Sequence, residues 1–188
     1  MRKNFGPQTW VFPLPVLIIG TYNKQGEPDA MNAAWGGIYD YNKIMICLSA
    51  HQTTENILSQ KAFTVSFATV ETVTASDYVG IVSQKKDKNK IANSGLKYEK
   101  AAHVNAPLFT DYPVTLECEL EEIINEGEGG GNVIAKIINV TADESVLTDG
   151  NLDTSKIRFI SFDPVSCKYI ELGEPVARAF AEGMKLRK

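Results

Sequence analysis

The run Ser49-Ala50-His51-Gln52-Thr53-Thr54 places an imidazole, an amide and several hydroxyls directly ahead of Glu55-Asn56-Ile57-Leu58. Thr53 or Thr54 suits a helix N-cap, and Ile57 and Leu58 supply the following helix with an inward face. The first turn of a helix carries amides without intrahelical partners and the positive end of its dipole. Ser49, His51, Thr53 and Thr54 beside such a turn are candidates for a phosphate site. Glu55 works against it by adding negative charge, and a capped helix without a ligand accounts for the same residues.

Two further stretches carry chemical potential. Lys85, Lys86, Lys88 and Lys90, with Asp87 alone among them, make the one dense basic run, as point charges for an anion or as a solvated surface. In Pro28 to Gly37, PDAMNAAWGG, the small residues Ala33, Ala34, Gly36 and Gly37 would let the backbone around Asn32 approach a planar ring, with Trp35 over its face or edge. A core tryptophan beside a bulge glycine is the alternative.

The elements that must position these residues are mostly strands. Val16 to Tyr22, a turn at Gly26 and a strand from about Asp29 read as a hairpin. Lys43 to Ser49 is another apolar strand, followed by the short helix. AFTVSFA alternates as a strand, and ETVTASDYVG ends at Gly80, which suits a helix C-cap. VTLECELEEIIN is a long strand whose Glu117, Glu119 and Glu121 alternate outward into solvent. EGEGGGN turns the chain, and VIAKIINVTADESVL returns alongside. IRFISF and CKYIEL add strands, and EPVARAFAEGMKLRK is a tail with helical character. The fold class is mainly β with inserted helices, favouring an antiparallel barrel, and no βαβα rhythm is present. A single domain spans 1–188, with its core over about 12–173 and a tail over 174–188.

With 188 residues, 44% of them hydrophobic, the chain can bury a substantial core. A net charge of −4 argues against nucleic acid or an anionic membrane as a general partner. Cys47, Cys118 and Cys167 lack metal or disulfide spacing, and Cys47 and Cys118 read as buried thiols. Pro7, Pro13 and Pro15 interrupt the N-terminal apolar residues, leaving too short a run for export or a membrane span, so a cytoplasmic location is expected. The two histidines and the absence of a GxSxG setting give hydrolysis no apparatus, no metal site is indicated, and GEGGGN precedes a strand, unlike a dinucleotide fingerprint.

The blocks PLPVLIIGTYNKQGEPDAMNAAWGG, FTVSF, DYVGIVSQKKDKNKIANSGL, APLF with YPVTLECEL, and ADESVL stand in compatible order from about Phe12 to Gly173. In them the chain resembles the flavin reductase-like, FMN-binding split-barrel family, its flavoredoxin-like members most of all. The resemblance implies a homodimer of six-stranded antiparallel split barrels, with noncovalent FMN near the subunit interface. Met31, Asn32, Ala33 and Trp35 would line the isoalloxazine. Ser49, Ala50, His51, Thr53 and Thr54 would follow the ribityl chain and phosphate, with Ser83 and Lys90 on the phosphate side.

Family members often carry Asn-Ala-Met-Thr where this chain has Asp29-Ala30-Met31-Asn32, and arginine near the turn held here by His51 and Gln52. The implied function is an oxidoreductase moving electrons from NAD(P)H through FMN to flavin or iron. The alternatives are an electron carrier served by a redox partner protein and a flavin-binding protein without nicotinamide oxidase activity. The redox chemistry belongs to the cofactor, so no catalytic acid-base residue is expected.

Overall fold

A computed structural model of the protein describes residues 1–127 and 130–187. Its frame is a seven-stranded antiparallel sheet. In chain order the strands are β1 (Leu17–Tyr22), β2 (Pro28–Ala33), β3 (Gly36–Asp40), β4 (Lys43–Leu48), β5 (Ala62–Phe67), β6 (Val114–Gly127) and β7 (Gly130–Ala142). Their spatial order is β2-β1-β5-β6-β7-β4-β3.

That order forces curvature. β2 and β3 are opposite edges, yet only Ala34 and Trp35 separate them in the chain. Laid flat, six inter-strand steps would part the edges by about 29 Å, whereas three residues of extended chain reach about 10 Å. The sheet therefore curls until its edges approach, which makes it a split barrel. At the seam a Cβ on Gly36 would lie 2.9 Å from Leu17 Cδ1 and 3.0 Å from the Met45 carbonyl oxygen, so a larger residue there would force its neighbours to shift.

Alternation along the strands sorts the core into two layers. Leu17 and Ile19 face the barrel interior with Met31, Ile44, Ile46, Phe63, Val65 and Cys118, while Val16 and Ile18 face an outer layer. Helix α1 (Gln52–Gln60) contributes Ile57 to the interior. Helices α2 (Val73–Ile81) and α3 (Lys90–Ser94) cover β2 from outside and bring Val79 and Ile91 to the outer layer. A small sheet of Leu14–Pro15, β8 (Ile160–Asp163) and β9 (Lys168–Glu171) packs Ile160, Phe162 and Tyr169 against the same layer.

Several expectations need correction. The main sheet has seven strands where six were expected, because PDAMNAAWGG, expected to open one strand, forms the whole of β2, crosses the seam and begins β3. His51, not Thr53 or Thr54, is the α1 N-cap, since both threonines already lie in the helix. Gly80 lies inside α2, which runs on to Ile81. Cys47 is exposed because the inward positions of β4 are Ile44, Ile46 and Leu48.

Glu119 and Glu121 are exposed, but Glu117 on the same face is buried. Residues around His103 cover it: the His103 amide donates to Glu117 Oε2 at 2.7 Å, and Asn139 Nδ2 donates to Oε1 at 2.9 Å. Burial alone would raise the Glu117 carboxyl, but the bonds from Asn139 and from the His103 ring and amide outweigh it and hold the pKa below the ordinary value. Glu128 and Gly129 of the expected EGEGGGN turn lie outside the described residues. The tail forms only a short 3₁₀ turn, Glu182–Leu186, and Lys188 is also outside the described residues. Among the described residues no helix is long and apolar enough to cross a membrane.

Candidate functional site

Three pieces of chain converge on one cleft of about 300 Å³. β2 supplies Asp29, Met31 and Asn32, the start of α1 supplies Ala50, His51, Gln52 and Thr53, and the segment from the end of α2 to α3 supplies Gly80 to Lys85 and Lys90. The curl of the sheet brings the end of β4, and with it the entry to α1, beside β2. The entry itself is tightly seated, because a Cβ on Gly130 would lie 2.6 Å from the Leu48 carbonyl oxygen.

The start of α1 is extended at His51, and no side chain caps it. The hydroxyls that would ordinarily do so are engaged elsewhere. Thr54 Oγ1 donates to the Ser49 carbonyl at 2.7 Å, and Thr53 Oγ1 donates to Asp29 Oδ2 at 3.1 Å. The first-turn amides, which have no intrahelical partners, are therefore the donors this end of the cleft keeps for an anion.

Beneath them lies a buried ion pair. Lys90 Nζ sits 3.0 Å from Asp29 Oδ1 and also donates to the Ala30 carbonyl. Asp29 thus ties β2 to both α1 and α3. Lys85 is the exposed cation of the cleft and is held 2.5 Å from Glu55 Oε1 on α1. Gln84 Nε2 donates to the Pro28 carbonyl at 2.8 Å, fastening the loop before α3 to β2.

At the other end, Asn32 Nδ2 donates to the Ser76 carbonyl at 3.1 Å and to the Tyr169 hydroxyl at 3.2 Å. α2 comes this close because residue 80 is glycine: a Cβ there would lie 2.9 Å from Asn32 Cβ. The Tyr169 hydroxyl donates onward to Asp77 Oδ1 at 2.9 Å. Burial first, and then the bond to Asp77, push the Tyr169 phenol up to about 12.

Of the residues singled out from sequence, Met31, Asn32, Ala50, His51, Thr53, Ser83 and Lys90 line this cleft together. Ser49 and Thr54 shape its α1 wall from behind through their mutual bond, Ala33 is in the barrel core, and Trp35 stands exposed at the seam. Trp35 is therefore no core tryptophan in the single chain. Gln84 and Tyr169 were not singled out, Gly80 was read only as a helix cap, and Lys85 was named only as part of the basic run. Tyr169 reaches Asn32 across 137 residues with no local pattern to announce it.

The sequence profile described as "Flavin reductase like domain" matches residues 10–158. The chain belongs to this family. Within it, the chain is 35% identical to the flavoredoxin of Desulfovibrio vulgaris (Miyazaki F), covering 97% of this chain and 100% of that one with a TM-score of 0.90. It shares its fold with the flavoredoxin of Methanosarcina acetivorans, at 21% identity, 99% coverage of both chains and a TM-score of 0.88. It also shares its fold with an FMN-binding domain of a flavin reductases-like enzyme from Shewanella baltica, at 23% identity and a TM-score of 0.77, covering 87% of this chain and 89% of that one. The split-barrel class and the family expected from the sequence both hold.

Proposed function

We propose that the protein is an FMN-binding oxidoreductase whose cleft holds the cofactor with its phosphate at the start of α1. The observation that carries this reading is the uncapped first turn of α1, whose threonine hydroxyls are engaged elsewhere, beside the lysine-bearing segment before α3. These residues fit a phosphate: the amides supply hydrogen bonds, and Lys85 supplies a positive charge. Ser49, Ala50, His51, Thr53, Thr54 and Ser83 would follow the ribityl and phosphate end, with Lys90 beneath. Met31, Asn32, Ala33 and Trp35 would line the ring.

FMN, when bound, supplies the redox chemistry, taking electrons from NAD(P)H and passing them to an acceptor such as free flavin or iron. This chain binds and orients it, and its small residues near the seam bring backbone close to the ring. A cleft of about 300 Å³ is at the low end for a ligand of this size. A second copy of the chain would complete the enclosure, and the exposed Trp35, Ile38, Tyr39 and Tyr41 on and beside edge strand β3 suit such a homodimer.

Anaerobic mixing of the FMN-loaded protein with NADH or NADPH tests the reading through flavin absorbance. Rapid bleaching by either is the expected result. The 35% identity to a flavoredoxin favours a second reading, a carrier that a reduced partner protein, and not a nicotinamide, would bleach. A protein that takes up no flavin would overturn both.

A further inference from the structure

We propose that Tyr169, outside the stretch matched by the family profile, is a positioning residue that makes Asn32 a pure hydrogen-bond acceptor toward the ring imide, N3–H, of the bound flavin. The inference rests on the flavin reading and deepens it.

The polarity of the chain of hydrogen bonds is forced from both ends. Asp77 is a carboxylate and can only accept, so the single proton of the Tyr169 hydroxyl goes to it. The hydroxyl oxygen is then left to accept from Asn32 Nδ2. The Ser76 carbonyl, also only an acceptor, takes the second Nδ2 proton. Both protons of the Asn32 amide are committed, and flipping the amide would set Oδ1 against two acceptors. Asn32 Oδ1 makes no hydrogen bond within the chain, and among the described residues no buried side-chain oxygen or nitrogen is left without a partner. Oδ1 is therefore open to solvent, and it is the side-chain polar atom Asn32 retains for a molecule in the cleft.

An acceptor selects a donor. The edge of an oxidised isoalloxazine presents N1, O2, O4 and N5 as acceptors and N3–H as its one donor. An Asn32 free to turn its NH₂ outward would bond the carbonyls equally well. Locked as it is, it pairs with the ring only at N3–H and repels the neighbouring oxygens. Tyr169 thereby sets the register of the ring from a sheet that carries none of the other site residues.

The test is the ratio of dissociation constants for FMN and N3-methyl-FMN, in the full-length wild type, in Tyr169→Phe and in Asp77→Asn. The wild type is expected to prefer FMN by about tenfold or more. Tyr169→Phe frees one Asn32 proton for the ligand, and Asp77→Asn removes the obligation on the tyrosine proton, so both should narrow the ratio several-fold while still binding FMN. Asp77 is exposed on α2, so its variant reads the effect even if Tyr169→Phe disturbs folding. Equal binding of the two ligands by the wild type overturns the inference, as does a ratio unmoved in both variants. If the wild type binds neither, the flavin reading itself fails and takes this inference with it.

Discussion

Lys90 Nζ lies 3.0 Å from Asp29 Oδ1 with both side chains almost wholly buried, so the lysine beneath the proposed phosphate site already has its counter-charge. Removing one partner strands the other in the protein interior, at a cost of about 3–5 kcal/mol. Asp29→Ala should therefore lose that much stability in urea denaturation. The double variant Asp29→Leu, Lys90→Met removes both charges and should lose less than Asp29→Ala alone. An Asp29→Ala protein within about 1 kcal/mol of the wild type would mean that water reaches the ammonium.

The exposed cation is Lys85, and it is shared with Glu55 in the first turn of α1. Glu55→Gln frees Lys85 and removes a negative charge from the helix end where the phosphate would sit. FMN affinity should rise by roughly three- to tenfold at low ionic strength, with little change for riboflavin, and the gain should shrink in salt. Isothermal titration at two salt concentrations measures it; an equal gain for riboflavin would count against the phosphate assignment.

Gly80 sits inside α2, where alanine would ordinarily be favoured by about 1 kcal/mol. The contact with Asn32 reverses the sign, because the added Cβ would lie 2.9 Å from Asn32 Cβ and neither backbone can yield cheaply. Gly80→Ala should destabilise the protein by about 1–3 kcal/mol and weaken flavin binding. A thermal melt and a flavin titration check both, and a stabilised variant would show that the contact is slack.

Alkaline pH should loosen the fold. Burial pushes Tyr112 up to about 12 from 10.0, and burial together with the Glu117 charge pushes Cys118 up to about 12 from 9.0. Above the unfolded values the unfolded chain has lost protons that the folded chain keeps, so stability falls as pH rises from about 9 toward 12. Each such group contributes a slope of at most about 1.4 kcal/mol per pH unit. Tyr112→Phe should flatten the decline seen by urea denaturation between pH 10 and 12, and an unchanged slope would assign the decline elsewhere.

Much of this was legible in the sequence because it is local. The unbroken apolar run Val16 to Ile19 announces a strand, and the hydroxyl-rich run before Glu55 announces a helix start. The roles of those hydroxyls were not legible, since Thr53 turns to Asp29 and Thr54 to Ser49. Glu117 alternates with its neighbours as expected, but what covers it comes from a distant loop. Tyr169 and Gly80 escaped for the same reason: each matters through Asn32, and only the packing of α2 and the small sheet over the outer face of β2 brings them to it.

The most direct test is titration of the flavin-free protein with FMN and with riboflavin, following flavin fluorescence. A phosphate seated on the α1 amides predicts saturable binding of one FMN per chain and riboflavin weaker by at least about tenfold, a difference of about 1.4 kcal/mol. Equal affinities, or no uptake of FMN, would contradict it.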